Sequence, residues 1–194
     1  MALSPEKYGD LLVYLLDKYL ENMDQIEVRN INDYARCALT GRGTVCTFVD
    51  CMENTFAVGP DGSIYPCYRF VGVLEYVMGH VRDRPSQDDL IQSAAGVRVQ
   101  RFKEHVDREC KDCRHIRYCR GGCPYNAIAR SDGEIEGVDP HCPAYRRIFE
   151  EIADRFNQEM MGSLDMGMGL PARPKAEKGI RPAIMPLVRK LVSD

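Results

Sequence analysis

Nine cysteines occur in 194 residues, and eight of them fall into spaced groups. Cys51 is followed by ten residues, Gly62, four more residues and then Cys67. Further on stand Cys110, Cys113, Cys119 and Cys123 as C-x2-C-x5-C-x3-C, then a last Cys142, while Cys46 sits just upstream of Cys51. Thiolates are costly to keep together without a partner, and soft sulfur selects iron clusters, zinc or copper(I). A cubane cluster needs four thiolates; one tight loop supplies three, and the fourth comes from elsewhere in the chain. The run ending Cys123-Pro124 has the form of the ferredoxin run C-x2-C-x2-C-x3-C-P with a longer middle spacer. In that run the fourth cysteine serves the other cluster, so Cys123 is expected to cross over. Gly121 and Gly122 let the backbone turn sharply beside it. Zinc is the competing metal, although these four cysteines do not split into two separated pairs as a zinc ribbon requires. Structural thiols or disulfides are the third reading, weakened by the odd count and by the absence of an export signal.

At these residues the sequence resembles a known family. C-x(9–15)-G-x4-C, a gap, C-x2-C-x5-C-x3-C, a gap and C is the signature of the SPASM domain. That domain is the auxiliary extension of radical S-adenosylmethionine enzymes that modify peptides and proteins. Arg-Tyr-Cys-Arg-Gly-Gly-Cys-Pro (117–124) and Tyr-Pro-Cys-Tyr-Arg-Phe-Val-Gly (65–72) resemble members that maturate sulfatases or form thioether crosslinks. The resemblance implies two auxiliary [4Fe–4S] clusters. By position the first would be held by Cys46, Cys51, Cys67 and Cys123, with Cys37 as an alternative to Cys46 or that place left open. The second would take Cys110, Cys113, Cys119 and Cys142. Two departures from the family pattern matter. The CxxxCxxC motif of the radical-generating cluster is absent, and so is the barrel that binds S-adenosylmethionine. The chain is therefore expected to act with a radical core, on the same polypeptide or a separate one, and not to be catalytic alone. Sulfatase-maturing relatives also carry an aspartate, serving as a base, directly after the cysteine matching Cys67. Here Tyr68 stands there, which favours peptide crosslinking.

The elements that must position these cysteines are partly legible. Ser4-Pro5-Glu6 reads as a helix start, with a hydroxyl cap, proline at the first helical position and an acid in the first turn. Tyr8, Leu11, Leu12, Leu15, Leu16, Tyr19 and Met23 then form one apolar stripe, with the cysteine region as the nearest candidate to bury it. Residues 25–50 show weak periodicity and are expected to be loop with short structured pieces. Pro60-Asp61-Gly62 between two β-prone runs predicts a hairpin of 55–58 with 63–66, whose second strand delivers Cys67. Ser86 with Asp89 predicts a capping box opening a helix to about Val106, with a possible break at Gly96. A last helix is expected from Cys142-Pro143, with Tyr145, Ile148, Phe149, Ile152 and Phe156 on one face. Residues 160–194 read as a flexible, disordered tail with a short helix near 184–192; its methionines suggest a flexible segment and no copper site.

The fold class expected is α+β: a small hairpin and helices around two Fe–S clusters. It divides into a linker helix and loop (1–45), an auxiliary cluster domain (46–159) and the tail. His80, His105, His115 and His141 are expected to be solvated or to support other polar groups, since the cysteines already suffice as ligands. A formal charge of −3 gives no electrostatic footprint for nucleic acid. No apolar run is long enough for a bilayer, and a reducing cytoplasm is the expected compartment. A peptide or protein substrate is the expected partner. Two rival classes stay open, a zinc-stapled interaction module and a stand-alone ferredoxin-like electron carrier.

Overall fold

The computed structural model describes residues 3–128, 133–168 and 183–193. Contacts divide the chain into two compact units, one of residues 1–44 with 143–194 and one of residues 45–142.

The first unit is helical. Helix α1 (Pro5–Glu21) starts as expected, with the Ser4 side chain accepting from the Lys7 N–H and proline at its start. Leu12, Leu16 and Tyr19 are buried, whereas Leu11 faces solvent, so the buried ridge is narrower than the apolar stripe. This ridge finds its partners within its own unit. Helix α2 (Arg29–Thr40) corrects the expectation of loop with short structured pieces over 25–50. Its buried face is Ile31, Asn32, Tyr34, Ala35 and Cys37, and Gly41 ends it in the left-handed region. Tyr34 meets Phe149 edge to face at 6.0 Å. Helix α7 (Cys142–Met168) buries Ala144, Tyr145, Ile148, Phe149 and Ile152. Ile148, Phe149 and Ile152 each contribute roughly 1.5–3 kcal/mol when fully buried, and this apolar face holds the helices together. Arg155 is buried between the carboxylates of Asp17 (2.7 Å) and Glu151 (2.8 Å). The expected tail is corrected in part: residues 160–168 continue α7. The short helix expected near 184–192 is present as helix α8 (Met185–Ser193). The Glu159 carboxylate caps α8 by accepting from the Ile184 and Met185 N–H groups. Residues 169–182 and 194 lie outside the described residues.

The second unit carries the expected hairpin. Strands β1 (Ala57–Val58) and β2 (Ser63–Tyr65) pair antiparallel, Ala57 opposite Tyr65. Asp61 fastens the turn by accepting from the Ser63 N–H and hydroxyl, and Gly62 sits at φ 89°, which a side chain would strain. A third strand, β3 (Gly79–His80), adds to β2 and was not expected. The Ser86–Asp89 capping box is formed and opens helix α3 (Gln87–Gln92). The break comes at Ser93, not Gly96: Ser93 ends α3 and its hydroxyl caps helix α4 (Ala94–Glu109). Gly96 is needed instead for space, since a Cβ there would lie 2.3 Å from the Ile91 carbonyl oxygen. Two short helices follow, α5 (Ile116–Cys119) and α6 (Pro124–Ile128). Tyr65, Phe70, Tyr76, Val99, Phe102, Ala127, Ile128 and Ile135 form the core of this unit. Among the described residues no helix is long and apolar enough to cross a membrane.

Candidate metal centre

All nine cysteines are free thiols, and eight of them lie in the second unit. Cys37 is the ninth. It is buried in α2 of the first unit, 3.4 Å from the Thr44 hydroxyl.

Four separate pieces of local structure present the first group. Cys46 opens a 3-10 turn (Cys46–Phe48) and is exposed. Cys51 follows in a turn whose geometry is set by its own carbonyl, which accepts from the Thr55 N–H and hydroxyl. Cys67 comes two residues after β2, and Cys123 precedes the first residue of α6. Together these four line one cavity of about 100 Å³, walled by apolar Met52, Phe56, Phe70, Met78 and Val99. Burial, with the nearby Cys123, Cys46 and Cys67 thiols, pushes Cys51 up to about 11. Cys67 and Cys123 are also raised by burial, but each is opposed by backbone N–H groups aimed at its sulfur. Those donors are Arg69 and Phe70 for Cys67, and Asn126 and Tyr125 for Cys123.

The second group is carried by one loop and one distant residue. Cys110 caps the C-terminus of α4, and the Cys113 N–H donates to its carbonyl. Cys119 ends α5, and Cys142 begins α7. Burial, then Cys142 and Cys113, push Cys110 up to about 11. Burial and Cys142 push Cys119 up to about 12, opposed by the Gly121 N–H. The structure thus brings Cys46, Cys51, Cys67 and Cys123 together, and separately Cys110, Cys113, Cys119 and Cys142. Among the described residues no three His, Cys, Asp or Glu side chains converge tightly enough for a single metal ion.

Asp139 joins the two groups, and local sequence reasoning missed it. It is fully buried. One carboxylate oxygen accepts from the Cys123 N–H (3.0 Å) and the Asn126 side chain (2.7 Å), and the other accepts from the His141 N–H (2.9 Å). Its backbone carbonyl accepts from the Cys142 N–H, so one residue fixes the backbone of a cysteine in each group. Gly122, at φ 86°, makes this possible, because a Cβ there would lie 2.3 Å from the Asp139 Cβ. The only local hint was an Asp-Pro step shortly before Cys142.

Arg69 also turns toward the first group, stacking 4.2 Å over the Tyr125 ring, while its neighbour Tyr68 is 74 % exposed. The histidines hold other polar groups, as expected. His80 meets the Asp61 carbonyl, His105 the Glu109 carboxylate, His115 the Tyr118 hydroxyl and His141 the Asp139 carboxylate.

Residues 46–114 match the model of the SPASM family, an iron–sulfur cluster-binding domain. A cysteine-type anaerobic sulfatase-maturating enzyme of Clostridium perfringens is 26% identical over 152 residues, 77% of this chain and 40% of that protein. A serine-type anaerobic sulfatase-maturating enzyme of Bacteroides thetaiotaomicron is 24% identical over 169 residues, 82% of this chain and 39% of that protein. The chain therefore spans about 40% of the length of the relatives it matches. Among solved structures, native anSMEcpe with bound AdoMet and Cp18Cys peptide aligns with a TM-score of 0.62 at 25% identity. That alignment covers 81% of this chain and 44% of the other. Residues 46–114 thus match an iron–sulfur cluster-binding domain, in a chain similar in sequence and fold to anaerobic sulfatase-maturating enzymes.

Proposed function

We propose that this chain is the auxiliary-cluster portion of a radical S-adenosylmethionine enzyme that modifies a peptide or protein, and that it holds two [4Fe–4S] clusters. The observation that carries the reading is the gathering of four cysteines from four separate segments around one cavity in the second unit. Cys46, Cys51, Cys67 and Cys123 are the ligands assigned to the first cluster. Cys110, Cys113, Cys119 and Cys142 are those assigned to the second. The donor set fits: all are free thiols, and backbone N–H groups already point at two of the first four sulfurs. When bound, the clusters would carry an electron away from a substrate radical.

The chain's own residues do the rest. Asp139 and Gly122 hold the Cys123 loop against the backbone of Cys142. Met52, Phe56, Phe70 and Val99 wall the first group on its apolar side, and Cys46 faces solvent. Bound clusters would add to the order that Asp139 and the core of the second unit already give these loops, because metal binding contributes folding energy. S-adenosylmethionine enters this reading only through a radical core outside this chain. The substrate is read as a peptide or protein side chain. Tyr68 in place of the aspartate of sulfatase-maturing relatives favours crosslinking over sulfatase maturation.

Two cysteine variants test the assignment. Cys119→Ala should lose the second cluster and keep the first, and Cys123→Ala should do the reverse. Anaerobic preparations compared by electron paramagnetic resonance read this directly. If both variants lost the same signal, the crossover of Cys123 would be wrong. Colourless protein containing zinc would favour the interaction module instead.

A further inference from the structure

Arg69 follows Cys67 by two residues and touches both ends of the first group. Its backbone N–H, with that of Phe70, points at the Cys67 sulfur. Its side chain folds back so that Nη1 lies 3.6 Å from the Cys123 sulfur and 2.8 Å from the Asn126 side-chain oxygen. The guanidinium carbon stands 4.2 Å over the Tyr125 ring. Asn126 in turn donates to the Asp139 carboxylate, which accepts from the Cys123 N–H. A planar fork held by a ring, an amide and a sulfur is not replaceable by a point charge on a flexible stem. So one side chain brings a permanent positive charge, in a fixed orientation, to a sulfur that the reading above makes a cluster ligand.

We propose that Arg69 is a tuning residue: its guanidinium raises the reduction potential of the cluster held by Cys46, Cys51, Cys67 and Cys123, and leaves the other cluster's unchanged. This rests on the two-cluster reading. The physical reason is charge. Reduction adds one electron and no proton, so the cluster becomes more negative by one unit. A cation hydrogen-bonded to a ligand sulfur stabilises that reduced form more than the oxidised one. Hydrogen bonds to sulfur and net charge near the site are established levers on such potentials. The group of Cys110, Cys113, Cys119 and Cys142 has no contact of this kind with Arg69 among those described, so its cluster serves as the internal control. The competing role for Arg69 is purely structural, a brace between Tyr125 and Asn126. A brace would change stability and loading without moving a midpoint.

The test is an anaerobic titration of the 194-residue chain with dithionite as electron donor, followed by electron paramagnetic resonance. The signal of the first cluster is identified by its loss in Cys51→Ala. In Arg69→Gln, its reduction equilibrium should shift at least tenfold toward the oxidised form, a midpoint lower by about 59 mV for one electron. The second cluster's midpoint should not move. Arg69→Lys, which keeps the charge and loses the fork, should fall between wild type and Arg69→Gln. An unchanged or higher midpoint in Arg69→Gln overturns the proposal, as does an equal shift of both clusters. If Arg69→Gln does not load the first cluster, Arg69→Lys decides: an unchanged midpoint, or the same failure to load, makes Arg69 a brace and overturns the tuning role. Wild-type chain without iron would refute the cluster reading itself, a result distinct from any shift in the variants.

Discussion

Replacing Asp139 with alanine removes the residue that ties Cys123 to Cys142, and the size of the loss follows from its contacts. Its side chain accepts from the Cys123 N–H at 3.0 Å, the Asn126 amide at 2.7 Å and the His141 N–H at 2.9 Å. Hydrogen bonds to a charged group contribute ~1.5–3 kcal/mol each, so three sum to roughly 4–9 kcal/mol. That sum is an upper bound, because His141 is partly exposed and its N–H can turn to water, whereas the buried Cys123 N–H cannot. A loss of about 3–5 kcal/mol remains, the range seen when a buried charge network is broken. Since domains of ordinary size are stable by only ~5–15 kcal/mol, the metal-free variant should be close to unfolding in its 45–142 unit. Asp139→Asn keeps the shape and one acceptor oxygen, so it should lose less, about 1–2 kcal/mol. Urea unfolding of the metal-free chains reads both values as shifts in midpoint at constant slope. With a slope of ~2 kcal/mol per molar urea, the alanine variant should unfold about 2 M earlier. A loss under ~1 kcal/mol for alanine, or an equal loss for asparagine and alanine, would refute the reasoning.

Gly122→Ala should produce a similar defect from the opposite side, since its Cβ would overlap the Asp139 side chain at a positive φ. A loss of ~3 kcal/mol or more is expected from strain and overlap together, read as a lowered thermal midpoint. Alkaline pH should destabilise the metal-free chain. Burial raises Cys119 in the folded state to about 12, against ~8.5 for an unfolded cysteine, so the folded chain holds its proton more tightly. That contribution is fully present below about 8.5 and is lost as pH rises toward about 12. A stability profile of the metal-free chain that stays flat across that window would contradict the buried placement of Cys119. The metal-loaded chain should lack this loss, because its thiols no longer titrate.

How much was legible in the sequence follows from the range over which each signal acts. Local signals were reliable: the Ser4-Pro5 start, the Pro60-Asp61-Gly62 hairpin and the Ser86–Asp89 box all depend on neighbours within a few residues. Helix α2 was missed because its buried face mixes Asn32, Ala35 and Cys37 with Ile31 and Tyr34, which weakens the apolar period. Strand β3 is two residues long and owes its existence to pairing with β2, not to any pattern of its own. The break fell at Ser93 because a serine that ends one helix can cap the next, while a glycine inside a helix is tolerated where backbones crowd. Past Met160, the methionines and Leu164 favour helix enough to outweigh the glycines, so α7 runs on to Met168. At the site, the cysteine spacing was legible in full. Asp139 and Arg69 were not, because their importance lies in contacts with Cys123 across 16 and 54 positions of chain.

The most direct measurement is metal content after oxygen-free purification and reconstitution. About eight irons and eight inorganic sulfides per chain are expected, with visible absorbance that bleaches under dithionite. A chain that stays colourless, binds no iron and unfolds at the same urea concentration with or without added iron and sulfide would contradict the account.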